Sequence, residues 1–580
     1  MRIAALALAF LLAAPAFSTD RPGDPVFQGR SPVVAANGMA ATAHPLASQA
    51  AVDILRAGGS AVDAAIAANA VLGLVEPTGN GIGGDLFALI WDPATRKVVA
   101  LDASGFAPMA LDVAALQARH PDGQLYNWGM DSVTVPGAVA GWAALHQRYG
   151  RLPLSTVLAP AVALARSGFP VSPVIARGWA MNFRRFTREK ARIEDADLAW
   201  QLYAPGGAAP EAGERFTNPD LAATLEMIGR DGAAAFYKGA FATDMGAHFA
   251  RHGRAMAASD LARMEARWVT PISAPYRDVT VWQIPPATQG LATLQMLRIL
   301  DRYDLKSMSE PDRAHLLIEA KKLAFADRAR FIADPQKVKV PVAALLADGY
   351  IASRAALIRM DRAMPATVPA GDPERAEHSD TTYLTTADSG GMMVSLIQSN
   401  YAGMGSGIVV PRAGAARGTW GFMLQNRGAQ FSLAPAAANS IAPGKRPFHT
   451  IIPGMATRGD APWLAFGVMG GTMQPQGHAQ ILINLIDLGM NLQAAGDAPR
   501  IRHLGSPDPD GGIGDGVTQD GVRLETRFSD ATRASLAARG HRLIATPEDV
   551  GGYQAIMWDA KHRMWWGASE MRKDGMALGY

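Results

Sequence analysis

A chain of 580 residues, 49% of them hydrophobic, can bury a large core, and its length alone corresponds to roughly three or four domains. Charged residues make up only 18%, the formal charge is +3, and no block of five or six Lys or Arg occurs, so no nucleic-acid footprint is visible beyond a high pI. There is no Cys, which excludes disulfides, thiol nucleophiles and Cys-bound metals.

Residues 1–18 read as an export signal. Arg2 supplies the positive start, Ile3 to Ala14 an apolar stretch too short to span a bilayer, and Ala14-Pro15-Ala16 the small residues of a cleavage site after Ala16 or Ser18. A periplasmic or secreted protein is expected, with no membrane span, because no later run reaches about 18 apolar residues. Pro45 to Arg56 predicts a helix stopped by Gly58-Gly59, and Ser60 caps a second one through Val71. The loop Gly79 to Gly84 then leads into an apolar strand, Leu86 to Trp91. Gly79-x-Gly81-x-x-Gly84 spells a dinucleotide fingerprint, but the order here is helix, loop, strand. No helix start faces a pyrophosphate, so the reading is a tight structural turn.

Residues 140 to 360 read as mostly helical, with Ala314 to Phe331 a long amphipathic example and Val279 to Gln283 strand-like. From Ala363 to Asp380 the composition shifts to Pro and charge, as in an exposed connector. A hairpin follows at once: Thr381 to Ala387, the turn Asp388-Ser389-Gly390-Gly391, and Met392 to Ser399. Trp463 to Gly471 and Gly477 to Leu488 read as strand, Gly-rich loop and helix. There Gly467, Gly470 and Gly471 could turn N–H groups toward an oxyanion, or simply make a tight turn. His449, His478 and His503 show no ligand spacing, and neither a metal nor a cofactor is expected.

A threonine hydroxyl needs a base within reach, and a chain-terminal threonine carries its own in the α-amine, whose pKa lies at about 7.7–8.0. The chain must then be cut just before it. Thr381, where connector meets strand, suits that role, although Thr-Thr opening a strand is also ordinary β propensity.

Ordered segments along the chain resemble the γ-glutamyltransferases. They include Ala43 to Ala50, Gly58 to Ala65, Glu76 with Gly81-Ile82-Gly83-Gly84, and Val135 to Gly141. Further on come Leu323 to Arg328, Asp380-Thr381-Thr382, Gly444-Lys445-Arg446-Pro447 and Ala498-Pro499-Arg500. The resemblance implies an α/β (α+β) protein with the four-layer αββα fold of N-terminal-nucleophile hydrolases. It implies self-cleavage between Asp380 and Thr381 into a large subunit, 19–380, and a small subunit, 381–580, that remain one domain. By the same resemblance Thr381 is the nucleophile, Ser399 orients it, and Gly470 and Gly471 form the oxyanion hole. His449 and Thr450 fall beside the substrate carboxylate, and Tyr401 and Asn426 lie in the segments lining the site.

Departures from the pattern are equally specific. The family's substrate-carboxylate arginine falls at Ser104, and the carboxylate that grips the substrate α-amine falls at Gln430, so both charges are gone. Arg427 offers a cation nearby. The segment Gln398-Ser399-Asn400-Tyr401 and the short stretch Ser432 to Pro447 resemble a divergent branch, partly acylases, without an active-site lid. The expected activity is cleavage of γ-glutamyl amides such as glutathione, hydrolysis prevailing over transfer to amines. The alternatives are an acylase for other small acyl amides and an uncut binding protein. A higher oligomer stays open.

Overall fold

The computed structural model describes residues 29–365, 368–370, 382–416, 418–507, 509–510, 520–545 and 550–580. The expected signal at 1–18, most of the connector, and the expected cleavage pair Asp380 and Thr381 lie outside the described residues.

Two helices follow a pair of short N-terminal strands. Pro45–Arg56 (α1) begins at a proline, which needs no amide partner in a first turn, and the His44 side chain caps it by accepting from Leu46 N at 3.3 Å. Ala61–Val75 (α2) is closed at its start by a reciprocal pair: Ser60 N donates to Asp63 at 2.9 Å and Asp63 N to Ser60 at 3.1 Å. The helix passes the expected end at Val71 and runs to Val75, because Leu72, Leu74 and Val75 are buried and Glu76-Pro77 make the stop.

The strands that matter for the site are Val33–Ala35 (β1), Met39–Thr42 (β2), Asp85–Asp92 (β3), Lys97–Ala103 (β4), Arg267–Val269 (β5), Ile272–Tyr276 (β6), Val279–Gln283 (β7), Thr382–Ala387 (β8), Met393–Ser399 (β9), Gly454–Arg458 (β10), Ala461–Val468 (β11), Tyr553–Asp559 (β12), Met564–Ser569 (β13) and Met576–Gly579 (β14). Among the described residues they form two seven-stranded antiparallel sheets, ordered β14-β2-β8-β9-β3-β4-β5 and β1-β13-β12-β11-β10-β7-β6. The sheets pack face to face through β8, β9 and β2 against β12, β11 and β13. α1 and α2 cover the outer face of the first sheet. Gly290–Leu300 (α3), Glu310–Phe331 (α4) and Met473–Leu482 (α5) lie on the second sheet's side, α3 and α5 against its strands and α4 against α3. The result is the expected four-layer αββα arrangement.

This layering explains the sequence pattern. Strand β3 is buried at every position, so it reads as an apolar run rather than an alternation. Each fully buried Leu or Phe along it contributes roughly 1.5–3 kcal/mol of transfer free energy. Helix α4 starts at Glu310, four residues before the expected Ala314, because Ser309 caps it and Pro311 occupies its first turn.

His478 on α5 is buried against Phe466, with ring centroids 4.8 Å apart, and its Nδ1 lies 3.3 Å from the Gln283 amide nitrogen. Burial lowers its pKa to about 3. The unfolded ring titrates near 6.5, so the unfolded state binds the extra proton. Stability is then lost as pH falls below about 6.5, by up to about 1.4 kcal/mol per pH unit. The thermal midpoint should drop between about pH 7.5 and about pH 5, and His478→Gln should flatten that slope. Equal slopes for the two proteins would remove His478 as a source of the acid sensitivity.

Candidate active site

The hairpin β8–β9 places the first group of side chains. Thr382 pairs with Gln398 across the hairpin, and Ser399 pairs with Asp85 of β3 on the other side. The Thr382 hydroxyl donates to the Glu76 carboxylate at the end of α2, which fixes the start of β8. Ser399 Oγ accepts from Tyr401 N at 2.8 Å. The Gly79–Gly84 loop packs on this corner. A β-carbon at Gly84 would lie 2.2 Å from the Ser399 carbonyl oxygen, and one at Gly83 2.2 Å from that of Met423. The glycines permit close backbone approach, in line with the tight-turn reading. Tyr401 itself sits at φ +81°, a conformation that costs a non-glycine residue about 1–3 kcal/mol.

The second group follows β11. Gly467 belongs to the strand rather than to the loop, where its missing side chain leaves room for the Tyr383 ring. Gly470 and Gly471 stand at φ +111° and +59°. Their carbonyls accept from Met473 N at 3.0 Å and Gln474 N at 3.1 Å as α5 begins. Among the described residues their own N–H groups engage no acceptor. Two free amides beside a helix N-terminus can hold a developing negative oxygen. Helix α5 starts at Met473, before the expected Gly477, and this brings its end up to the glycines. Gln289, which carried no signal in the sequence, locks this corner. Its Nε2 donates to the carbonyls of Thr450 at 2.5 Å and Gly471 at 2.8 Å, and its Oε1 accepts from Arg328 at 2.6 Å.

Between the two groups lies a buried polar cluster. Arg427 is fully buried in the turn Arg427–Gln430; its Nη1 donates to Gln430 Oε1 at 2.8 Å and Thr450 Oγ1 at 3.2 Å, and its guanidinium carbon lies 4.8 Å from the centre of the Tyr401 ring. Burial pushes its pKa down to about 10, opposed by the charge of Asp85. Asn426 is spent on the backbone: it accepts from Ala402 N at 2.8 Å and donates to Asn127 O at 2.8 Å and Ala402 O at 3.1 Å.

His449 is equally committed. Its Nδ1 lies 2.7 Å from Pro447 O and its Nε2 2.9 Å from Asp85 Oδ2, while Asp85 Oδ1 accepts from Gly105 N at 2.8 Å and Gln425 Nε2 at 3.0 Å. Both ring nitrogens face acceptors. Nδ1 can donate to Pro447 O, and Asp85 Oδ2 stands ready to accept from Nε2 whenever the ring carries a proton there. Burial lowers the histidine pKa and so disfavours the doubly protonated ring, an effect that the hydrogen bond to Asp85 opposes. Asp85 was missed in the sequence. Its only signal was an acid opening an apolar strand.

Ser399, Tyr401, Asn426, Arg427, Gln430, His449 and Thr450 thus converge, and Gln289 ties them to Gly471. Ser104 is turned to other work: its hydroxyl donates to Asp102 at 2.5 Å, Asp102 is paired with Arg267, and Ser104 O accepts from Arg446 at 3.0 Å. The segment from Ser432 to Pro447 is tied to itself and to the protein body through Asn439, which donates to Gln430 O at 2.6 Å, and Lys445, whose carbonyl accepts from Ala107 N at 2.9 Å. Two side-chain groups elsewhere, Asp195-His248-His252 and His315-Glu319-His541, have metal-like spacing. Arg251 donates to His248 Nδ1 at 2.8 Å and Lys322 pairs with Glu319 at 2.9 Å, so each already has a cationic neighbour.

Residues 47–580 match the family model described as gamma-glutamyltranspeptidase. The chain is 34% identical over 558 residues to the glutathione hydrolase-like YwrD proenzyme of Bacillus subtilis, covering 94% of this chain and 99% of the relative. It is 35% identical over 555 residues to the oxamate amidohydrolase proenzyme of Klebsiella pneumoniae, again covering 94% and 99%. Its fold superposes on the crystal structure of a cephalosporin acylase from Bacillus halodurans with a TM-score of 0.87 and 40% identity, covering 97% of this chain and 99% of that one.

Proposed function

The chain belongs to the γ-glutamyltranspeptidase family, and from that premise we propose that it cuts itself between Asp380 and Thr381 and then hydrolyses small acyl amides, γ-glutamyl amides among them, with Thr381 as nucleophile. The observation that carries this reading is the hairpin register. Thr382, the residue after the proposed cut, opens β8 opposite Gln398, next to Ser399 and at the corner where Gly84 approaches the Ser399 carbonyl.

In the proposed cycle the Thr381 hydroxyl attacks the amide carbon while its α-amine takes the hydroxyl proton. The N–H groups of Gly470 and Gly471 hold the resulting oxyanion. Collapse breaks the C–N bond, the α-amine returns the proton to the leaving amine, and an ester joins the acyl group to Thr381. Water, deprotonated by the same amine, attacks the ester and releases the acid. Ser399 positions the nucleophile. The tied-down Ser432–Pro447 segment supports hydrolysis over transfer, since it leaves the acyl-enzyme open to water. Export through residues 1–18 and retention of both pieces in one domain belong to the same reading.

The relatives supply the competing acyl groups. One is named for glutathione, one for oxamate, and the structural neighbour for cephalosporins. N-terminal sequencing of the small fragment of purified protein tests the cut. A fragment beginning at Thr381 is expected, and any other start would dismiss Thr381 as the nucleophile.

A further inference from the structure

One cluster outside the candidate active site has the makings of a cation site. His248 lies in the last turn of the helix Ala240–Arg251 and His252 caps its C-terminus, so the two residues share a face at i and i+4. Asp195 meets them from just before the helix Asp197–Tyr203. Its Oδ2 lies 3.0 Å from His252 Nε2 and 3.6 Å from His248 Nδ1, and the three ligand atoms all fall within 4.8 Å of one another. Zinc bonds imidazole nitrogen and carboxylate oxygen at about 2.0–2.2 Å in a tetrahedron, whose edges are then about 3.4 Å. The two measured separations bracket that edge. Asp195 stands 57 positions before His252, so spacing along the sequence does not display the set.

Three further features favour an ion here. Arg251 donates to His248 Nδ1 at 2.8 Å; a guanidinium can only donate, so this nitrogen carries a lone pair. Protein contacts alone hold the scaffold: Arg254 donates to His252 O at 3.0 Å and to the Glu194 carboxylate at 2.8 Å, which joins the neighbour of Asp195 to the second histidine. The helix C-terminus adds the negative end of its dipole. Asp195 and Arg251 side chains are 44% and 60% exposed, so an ion can reach the carboxylate and the guanidinium can swing aside. The other group with metal-like spacing is closed, because His315 Nδ1 and His541 Nε2 are hydrogen-bonded at 2.7 Å and buried Lys322 pairs with Glu319.

We propose that Asp195, His248 and His252 bind one zinc ion, with water as the fourth ligand, and that the ion cross-links the helix Ala240–Arg251 to the turn carrying Asp195. Zinc displaces Arg251 from His248 Nδ1. It also replaces the hydrogen bond between His252 Nε2 and Asp195, the His252 ring keeping its single proton on Nδ1. The site does not depend on the proposed Thr381 chemistry.

The test uses the full chain without an affinity tag, stripped with a chelator and desalted. It is titrated with zinc chloride in a calorimeter, and its Tm is read with and without the ion. Wild type should bind one equivalent with micromolar affinity and gain Tm. Magnesium should do neither, since it demands an octahedral set of oxygens. His252→Gln and Asp195→Asn, both at partly exposed positions, should each weaken binding about 10-fold or more and lose the gain in Tm. Arg251→Ala should tighten binding instead, because it removes both the competitor for Nδ1 and a like charge. A wild type that binds no zinc, or binding that persists in both His252→Gln and Asp195→Asn, overturns the site. Weaker binding by Arg251→Ala overturns the displacement of the guanidinium.

Discussion

Thr381→Ala is expected to give a single full-length chain with no measurable amide hydrolysis. One hydroxyl performs both reactions in the proposed mechanism, first on the carbonyl of Asp380 and then on the substrate. No neighbouring residue can take over, because a replacement would lack both the oxygen and, in the uncut chain, a free α-amine to deprotonate it. Removing a nucleophile that acts as a unit with its base lowers kcat on the order of 10⁴-fold or more. A denaturing gel reads the first loss and an acyl-anilide assay the second. The variant should keep the fold, because β8 is fixed by Thr382 on Glu76 and by its register with β2 and β9. A variant that still splits into two bands, or that retains more than a trace of activity, would sink the mechanism. Loss of both with a normal circular dichroism spectrum is the supporting result.

Asp85→Ala should be the most damaging single substitution in the core of the site, at about 3–5 kcal/mol. The carboxylate is wholly buried, accepts from Gly105 N and Gln425 Nε2, and lies 2.9 Å from His449 Nε2. Alanine leaves all three partners unsatisfied and removes the charge that partly offsets Arg427. Asp85→Asn separates the contributions. Its carbonyl oxygen can still accept from Gly105 and Gln425, and its amide can donate to a neutral His449 at Nε2. Urea denaturation should therefore place Asp85→Asn much closer to wild type than to Asp85→Ala. If the two variants are equally unstable, the site depends on the carboxylate's charge rather than on its hydrogen bonds.

The fold was legible wherever local chemistry and tertiary context agree. Pro45 and the Ser60-Asp63 pair announce helix starts by satisfying amides locally, and the Asp388-Ser389-Gly390-Gly391 turn sets the hairpin that presents Ser399. Boundaries failed where burial overrode a local signal. Helix α2 runs through Gly73 because its neighbours are buried, and Gly467 completes a strand because the Tyr383 ring needs the space. The site was legible only in part, for a physical reason. Ser399, Gly470 and Gly471 stand next to turn chemistry that a sequence displays. Asp85 and Gln289 act through partners 364 and 182 positions away and have ordinary neighbours. Position 104, where the resemblance puts the family's arginine, holds a serine that closes a local turn with Asp102.

The strand order changes what the proposed cut does to molecularity. In the first sheet β2, from before the cut, lies between β14 and β8 from after it, and β9 abuts β3; in the second, β1 and β7 flank a block of four later strands. Neither piece has a complete sheet of its own, so separation and unfolding are one event. Before cleavage that event is unimolecular and its midpoint is independent of protein concentration. After cleavage it releases two chains, and mass action makes the mature protein more resistant to heat when concentrated than when dilute. Cleavage also makes refolding a second-order encounter. A protein built this way folds once as a single chain and afterwards survives by not coming apart.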